Sequence, residues 1–228
     1  MRAVQFALLI LLGICLFGWA TGRPRDAWAG AGKMPFPKPA LDAPLASSQG
    51  QETVVVAGGC FWGVQAVFEH LKGVTAATAG YAGGGAASAH YDEVSTGSTG
   101  HAESVKVVFD PSQLSFGEIL MIFFSVGHDP TEWNRQGPDE GTQYRSVIFY
   151  AGEQQKKIAE AYIAQLNAAK IFSRPIVTQV VLLQAFYVAE DYHQDYLKHH
   201  PGSPYIVFND LPKLEHLKKE FPELYRAY

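Results

Sequence analysis

Hydrophobic positions recur along this chain with two periods, and the alternation between them marks out its elements. Thr53 to Val56 is an apolar, β-branched run that reads as a strand. Just after it, Val64, Val67, Phe68 and Leu71 fall on one helical face, predicting a helix from about Cys60 to about Gly73. Val74 to Tyr81 reads as a strand running into Gly83-Gly84-Gly85, a loop. No helix pattern follows those glycines, which argues against a phosphate-binding loop. Glu103 to Asp110 alternates Val105, Val107 and Phe109 as a strand, and Ser115 to Val126 is a helix with Ser115 as cap and Glu118 completing a capping box. Arg145 to Tyr150 is a strand, Glu153 to Ala169 a long amphipathic helix, Ile176 to Leu183 a strand and Ala189 to His199 a helix. In the tail, Asn209 to Tyr225, Leu211, Leu214, Leu217 and Phe221 share one face, as in a helix packed over the body. Strands and helices alternate at irregular intervals, so the expected fold is α+β: a two-layer sandwich of a mixed sheet with packed helices.

Composition adds an address and a boundary. Arg2 followed by the apolar run Ala3 to Ala20 has the form of a secretory signal, and residues 1–29 are expected to be a signal peptide or an N-terminal anchor, which makes the protein exported. Residues 30–51 carry Pro35, Pro37, Pro39 and Pro44 and read as an extended linker, leaving 52–228 as a single domain. A formal charge of −4 over 228 residues offers nothing to nucleic acid. The two cysteines are Cys15, inside the apolar segment, and Cys60. Removal of the leader would leave Cys60 alone, with no intramolecular disulfide to form.

Cys60 stands in Gly58-Gly59-Cys60-Phe61-Trp62-Gly63, at a strand-to-helix junction. Free N–H groups and the positive end of the helix dipole there are expected to lower a thiol pKa and make a nucleophile. The glycines allow a tight turn beside the sulfur, and Phe61 and Trp62 supply aromatic surface. Two loops are dense in polar and aromatic groups: Tyr91 to Glu103, with His101, and His128 to Arg145, with Asp139 and Tyr144. Taken singly, each of these residues has an ordinary structural explanation. Their combination with Cys60 is what suggests a site.

The runs GGCFWG (58–63), GYAGG (80–84), TGHAE (99–103), HDPT with NRQGPDEGTQYRS (128–146) and AEDYHQDYL (189–197) resemble those of the type A peptide methionine sulfoxide reductases, in the same order, from about residue 53 to 200. The resemblance implies a ferredoxin-like α+β fold and a reductase of the S epimer of methionine sulfoxide, free or in oxidised proteins; one enzyme serves each epimer. It assigns Cys60 as nucleophile, Glu103 as acid, Phe61 and Trp62 as the methyl pocket, and Tyr91, Asp139 and Tyr144 as polar partners of the sulfoxide oxygen. His101, in the motif of Glu103, falls on the substrate-binding side. No bound cofactor or metal is implied, and a monomer is expected. His193 and His199-His200 lack neighbouring ligands at helical spacing.

Many relatives carry a second cysteine near the C-terminus, and some carry one where this chain has Val94-Ser95-Thr96. Here no cysteine follows Cys60. An external thiol, whether thioredoxin, glutaredoxin or glutathione, is therefore expected to recycle the enzyme. Two competitors remain at this point: a cysteine hydrolase built on Cys60, His101 and Asp139, and a binding module with an aromatic pocket and no chemistry.

Overall fold

The computed structural model describes residues 35–227. The leader, its possible anchoring role and Cys15 lie outside the described residues. Among those described, no helix is long and apolar enough to cross a membrane.

A six-stranded mixed sheet organises the chain. In sequence order the strands are β1 (Glu52–Ala57), β2 (Val74–Ala82), β3 (Ala102–Phe109), a small hairpin β4 (Arg135–Gln136) and β5 (Asp139–Glu140), then β6 (Val147–Tyr150), β7 (Gln179–Leu182) and β8 (Phe186–Val188). The large sheet runs β7-β6-β1-β3-β2-β8, with every pair antiparallel except β6 and β7. β1 is central and buried on both faces, which is why it reads as a continuous β-branched run. Val54 and Val56 join the main core with Val105, Val107 and Phe109, whereas Val55 and Ala57 join a smaller cluster with Ala82, Ala102 and Phe149. The main core is closed by α1 (Phe61–Glu69), α3 (Phe116–Ile122), α4 (Glu153–Ala168) and α6 (Leu211–Glu220). Two short helices, α2 (Tyr91–Val94) and α5 (Tyr196–His199), lie in the connections.

Local chemistry explains several boundaries. Ser115 and Glu118 form the expected capping box at α3, and Asp42 adds a bond from Gly117 N–H at 2.8 Å. α3 then runs into a π-helical turn, Phe123–Gly127. Helix α1 stops four residues short of Gly73, because the C-terminal segment captures the backbone there. Lys72 N–H donates to Leu224 C=O at 2.7 Å and Arg226 N–H to His70 C=O at 2.9 Å.

The stretch from Ala189 to His199 is not one helix. It leaves β8, a strand the periodicity does not reveal, makes a 3-10 turn at Asp191–His193, passes through Asp195 at φ 52° and only then forms α5. Polar ties to the sheet override the helical pattern: Gln194 accepts from Ala79 N–H at 3.0 Å and donates to Ala79 C=O at 3.0 Å. Residues 35–51 have no regular structure, as their prolines predict. They are nonetheless fastened to the body, with Tyr162 O–H donating to Pro37 C=O at 2.6 Å and Phe36 packed edge-on to Phe172.

Candidate active site

Cys60 is the N-cap residue of α1, reached through a tight turn at Gly59. Gly59 has φ 86°, and a Cβ there would meet the Gln136 side chain at 2.4 Å, so only glycine fits. Its N–H donates to Tyr144 C=O at 3.2 Å, which ties the turn to the loop that carries Tyr144. Cys60 is 7% exposed. Burial pushes its thiol well above the usual range; the charges of Glu103 and Asp210 add to the rise, and the Trp62 N–H opposes it. The expectation of a helix end lowering this pKa is thus corrected: desolvation and carboxylates outweigh the dipole, and the thiol is neutral at rest.

Glu103 sits on β3 beside β1, 3% exposed, where the pleat turns it toward the start of α1. Its Oε2 accepts from Phe61 N–H at 3.1 Å, one residue from the sulfur. Burial raises its pKa to about 8, and that N–H only partly offsets the rise. The carboxyl is therefore mostly protonated at neutral pH and can donate.

The charges of Glu103 and Cys60 act on the phenols of both Tyr91 and Tyr144. Burial raises both pKa values above the usual 10, which keeps the hydroxyls as uncharged donors. Tyr91 is held by its N–H, which donates to Glu190 Oε1 at 2.9 Å, while Glu190 Oε2 accepts from Tyr81 O–H at 2.7 Å. Asp139, on β5, accepts from Tyr205 O–H, and burial raises its pKa. Trp62 lies flat on Tyr196, 3.7 Å between centroids, meets Tyr205 edge-on, and donates Nε1–H to His193 Nδ1 at 3.1 Å. Phe61 is buried behind it, against Tyr81 and His193.

His101 is not part of this group. Its Nδ1 accepts from Gly84 N–H at 3.3 Å and its Nε2 faces Gly85 C=O at 3.0 Å, so both nitrogens hold the glycine loop. The substrate-side placement of His101 is therefore not met, and neither is the hydrolase constellation of Cys60, His101 and Asp139. Both would need the ring turned toward the sulfur. Conversely, Tyr205, Asp210 and Lys213 belong to the site's surroundings and lie in no motif, while Glu190, His193 and Tyr196 lie in the AEDYHQDYL run, which gave them no role of their own. The aromatic density of the stretch from Tyr192 to Tyr205 was the available signal. Among the described residues no group of three His, Cys, Asp or Glu side chains could hold a metal ion.

Comparison with known proteins shows the family and the fold. A family profile described as "Peptide methionine sulfoxide reductase" matches residues 52–225. The chain is 55% identical over 179 residues to "Peptide methionine sulfoxide reductase MsrA 2" of Mesorhizobium japonicum, covering 78% of this chain and 92% of that protein. It is 49% identical to a protein of the same name from Synechocystis, covering 84% and 91%. Among solved structures it resembles methionine sulfoxide reductase A of Corynebacterium diphtheriae, with TM-score 0.59, 37% identity and coverage of 78% and 90%. It also resembles reduced Mxr1 of Saccharomyces cerevisiae, with TM-score 0.61, 29% identity and coverage of 72% and 92%. With fold, motif order and overall sequence in agreement over that span, the chain belongs to the peptide methionine sulfoxide reductase family.

Proposed function

We propose that the protein reduces methionine S-sulfoxide, in oxidised proteins and as the free amino acid, back to methionine, with Cys60 as nucleophile and Glu103 as acid. The observation that carries this reading is the burial of Cys60 and Glu103 together at the start of α1, with Glu103 Oε2 accepting from Phe61 N–H at 3.1 Å; burial raises the pKa of both groups and favours their protonated forms. A sulfoxide sulfur is electrophilic, but its oxygen leaves only when protonated. Glu103 delivers a proton to that oxygen and takes up the one that Cys60 loses as its sulfur attacks. The balance is one neutral thiol and one sulfoxide in, one sulfenic acid at Cys60 and one methionine out. Tyr91 and Tyr144 donate to the oxygen as its charge grows. Trp62, braced by Tyr196 and His193, seats the methyl group, with Phe61 behind it. Asp139 acts through Tyr205 at the rim.

With no cysteine after Cys60, the sulfenic acid is reduced by an external thiol, first as a mixed disulfide and then as free Cys60. Thioredoxin, a glutaredoxin and glutathione are the candidate donors. The apolar leader supports an exported protein that repairs oxidised proteins outside the cytoplasm.

The test is a single turnover without reductant. The expected result is one methionine released per enzyme and one oxygen added at Cys60 by mass spectrometry. Product formed with Cys60 still a free thiol would overturn the mechanism.

A further inference from the structure

Asp210 closes a π-helical turn, Ile206–Asp210, that runs without a break into α6, so no free helix end lies there for its carboxylate to cap. The side chain is turned inward instead, with the residue 1% exposed. Its Oδ1 accepts from Lys213 Nζ at 3.1 Å, and its Oδ2 has no hydrogen-bond partner among the described residues. The space it occupies exists because position 63 has no side chain: a Cβ on Gly63 would lie 2.0 Å from Asp210 Oδ1 and 2.7 Å from Lys213 Nζ. Gly63 is three residues after Cys60 along α1, so the carboxylate lies over the helical face that begins at the sulfur. Its charge adds to the rise in the Cys60 pKa, after burial and the Glu103 charge.

Burying a carboxylate with one oxygen unpartnered is costly, and no second hydrogen bond among the described residues offsets that cost here. The segment that supplies Asp210 also supplies no cysteine. We propose that Asp210 is the base of the recycling half-reaction, taking the proton from an incoming thiol as that thiol attacks the sulfenic acid at Cys60. This rests on the reading above that Cys60 is oxidised to a sulfenic acid and reduced from outside.

The step balances. The thiol's proton passes to Asp210 Oδ2, its sulfur bonds to Cys60 Sγ, the S–O bond of the sulfenic acid breaks, and the proton returns to the departing hydroxide to give water. The Cys60 sulfur is reduced and the thiol sulfur oxidised by the same amount, leaving a mixed disulfide. A second thiol then displaces Cys60 and leaves as its own disulfide. Lys213 favours the ionised carboxylate, while burial raises the pKa and makes it the stronger base. The charge of Asp210 also acts on Cys60, Asp139 and Tyr205, and that of Lys213 on His128.

In the first half-reaction the same charge works against the thiol, so removing it has effects of opposite sign. Asp210→Asn is expected to release the first methionine at least as fast as the wild type in a single turnover. Reduction of the pre-oxidised enzyme by 2-mercaptoethanol at pH 7 is expected to slow about 10-fold or more, the lower end of what a general base supplies. That rate should then follow only the thiol's own ionisation, whereas the wild-type rate falls at low pH as the carboxylate is protonated. Asp210→Glu, which keeps the carboxylate, should recover part of the loss. If the Asn variant does not fold, Lys213→Met leaves Asp210 in place without its cation and should shift the low-pH limb of recycling toward higher pH. Both halves slowed alike, or recycling unchanged in the Asn and Met variants, would overturn the proposal. Absence of the first methionine from the wild type would instead sink the functional reading beneath it.

Discussion

At Cys60 a helix terminus and a buried environment pull the thiol in opposite directions, and burial wins. The same burial raises the Glu103 carboxyl to about 8, which suits it to the proton donor's part proposed above. Two consequences follow at this scale. The rate of the first half-reaction in single turnover should fall as pH rises through about 8, because the proton donor is then lost. Glu103→Gln should remove that limb and lower the rate roughly 10²-fold or more. The second consequence concerns stability. A carboxyl that titrates near 4.5 unfolded and near 8 folded binds more protons in the folded state between those values, so stability is lost as pH rises across that window. At pH 8 and above the loss is on the order of 4 kcal/mol. Urea unfolding at pH 8 should therefore find Glu103→Gln more stable than the active enzyme; an equal or lower midpoint would contradict a protonated native carboxyl.

Elements obeyed their sequence where local chemistry was sufficient. α3 starts at Ser115 because the capping box is local, and β1 lies where its β-branched run lies. The segment from Ala189 to His199 shows the opposite case. Its apolar spacing fits a helix, yet Gln194 and Glu190 are bonded to β2 and to Tyr91, and the chain breaks at Asp195 to allow it. Helical spacing carries no information about a glutamine that will meet a strand edge more than a hundred residues away. The segment before β1 offers a test at this scale. Asp42 accepts from Ser115 O–H and Gly117 N–H at the start of α3, away from Cys60. Asp42→Ala should lower stability by about 1 kcal/mol with kcat unchanged, measured as a shift of the urea midpoint.

Across the whole molecule, the C-terminal segment closes the structure onto its N-terminal half. Leu214, Leu217 and Phe221 complete the main core, and Tyr205 and Asp210 reach the active site. His128, buried behind the site between Phe123 C=O and Ser146 Oγ, ties α3 to the strand region. Burial lowers its pKa to about 4. Its unfolded form therefore binds more protons between pH 6.5 and about 4, so stability falls as pH drops through that window, by on the order of 3 kcal/mol. In the Glu103→Gln background, which lacks the opposing carboxyl, chemical denaturation at pH 7 and pH 5 should show part of this loss, and His128→Asn should flatten the dependence even if it lowers the whole curve. The Glu103 and His128 windows overlap between about pH 4.5 and 6.5, where their slopes oppose one another, so these two groups together place maximum stability inside that overlap.

The sequence alone determined the order of most strands and helices, the α+β class, and the place of Cys60 at a strand-to-helix turn. These depend on periodicity, caps and glycines, which act over a few residues. It also singled out Glu103, Tyr91, Tyr144 and Trp62 through motifs, without saying what each touches. Only the tertiary structure decided that His101 faces a glycine loop, that the thiol is neutral, and that Tyr205, Asp210 and Lys213 come back from the tail to the site. Those outcomes depend on burial and on contacts between distant segments, and a linear string does not encode the dielectric around a side chain before the chain has folded around it.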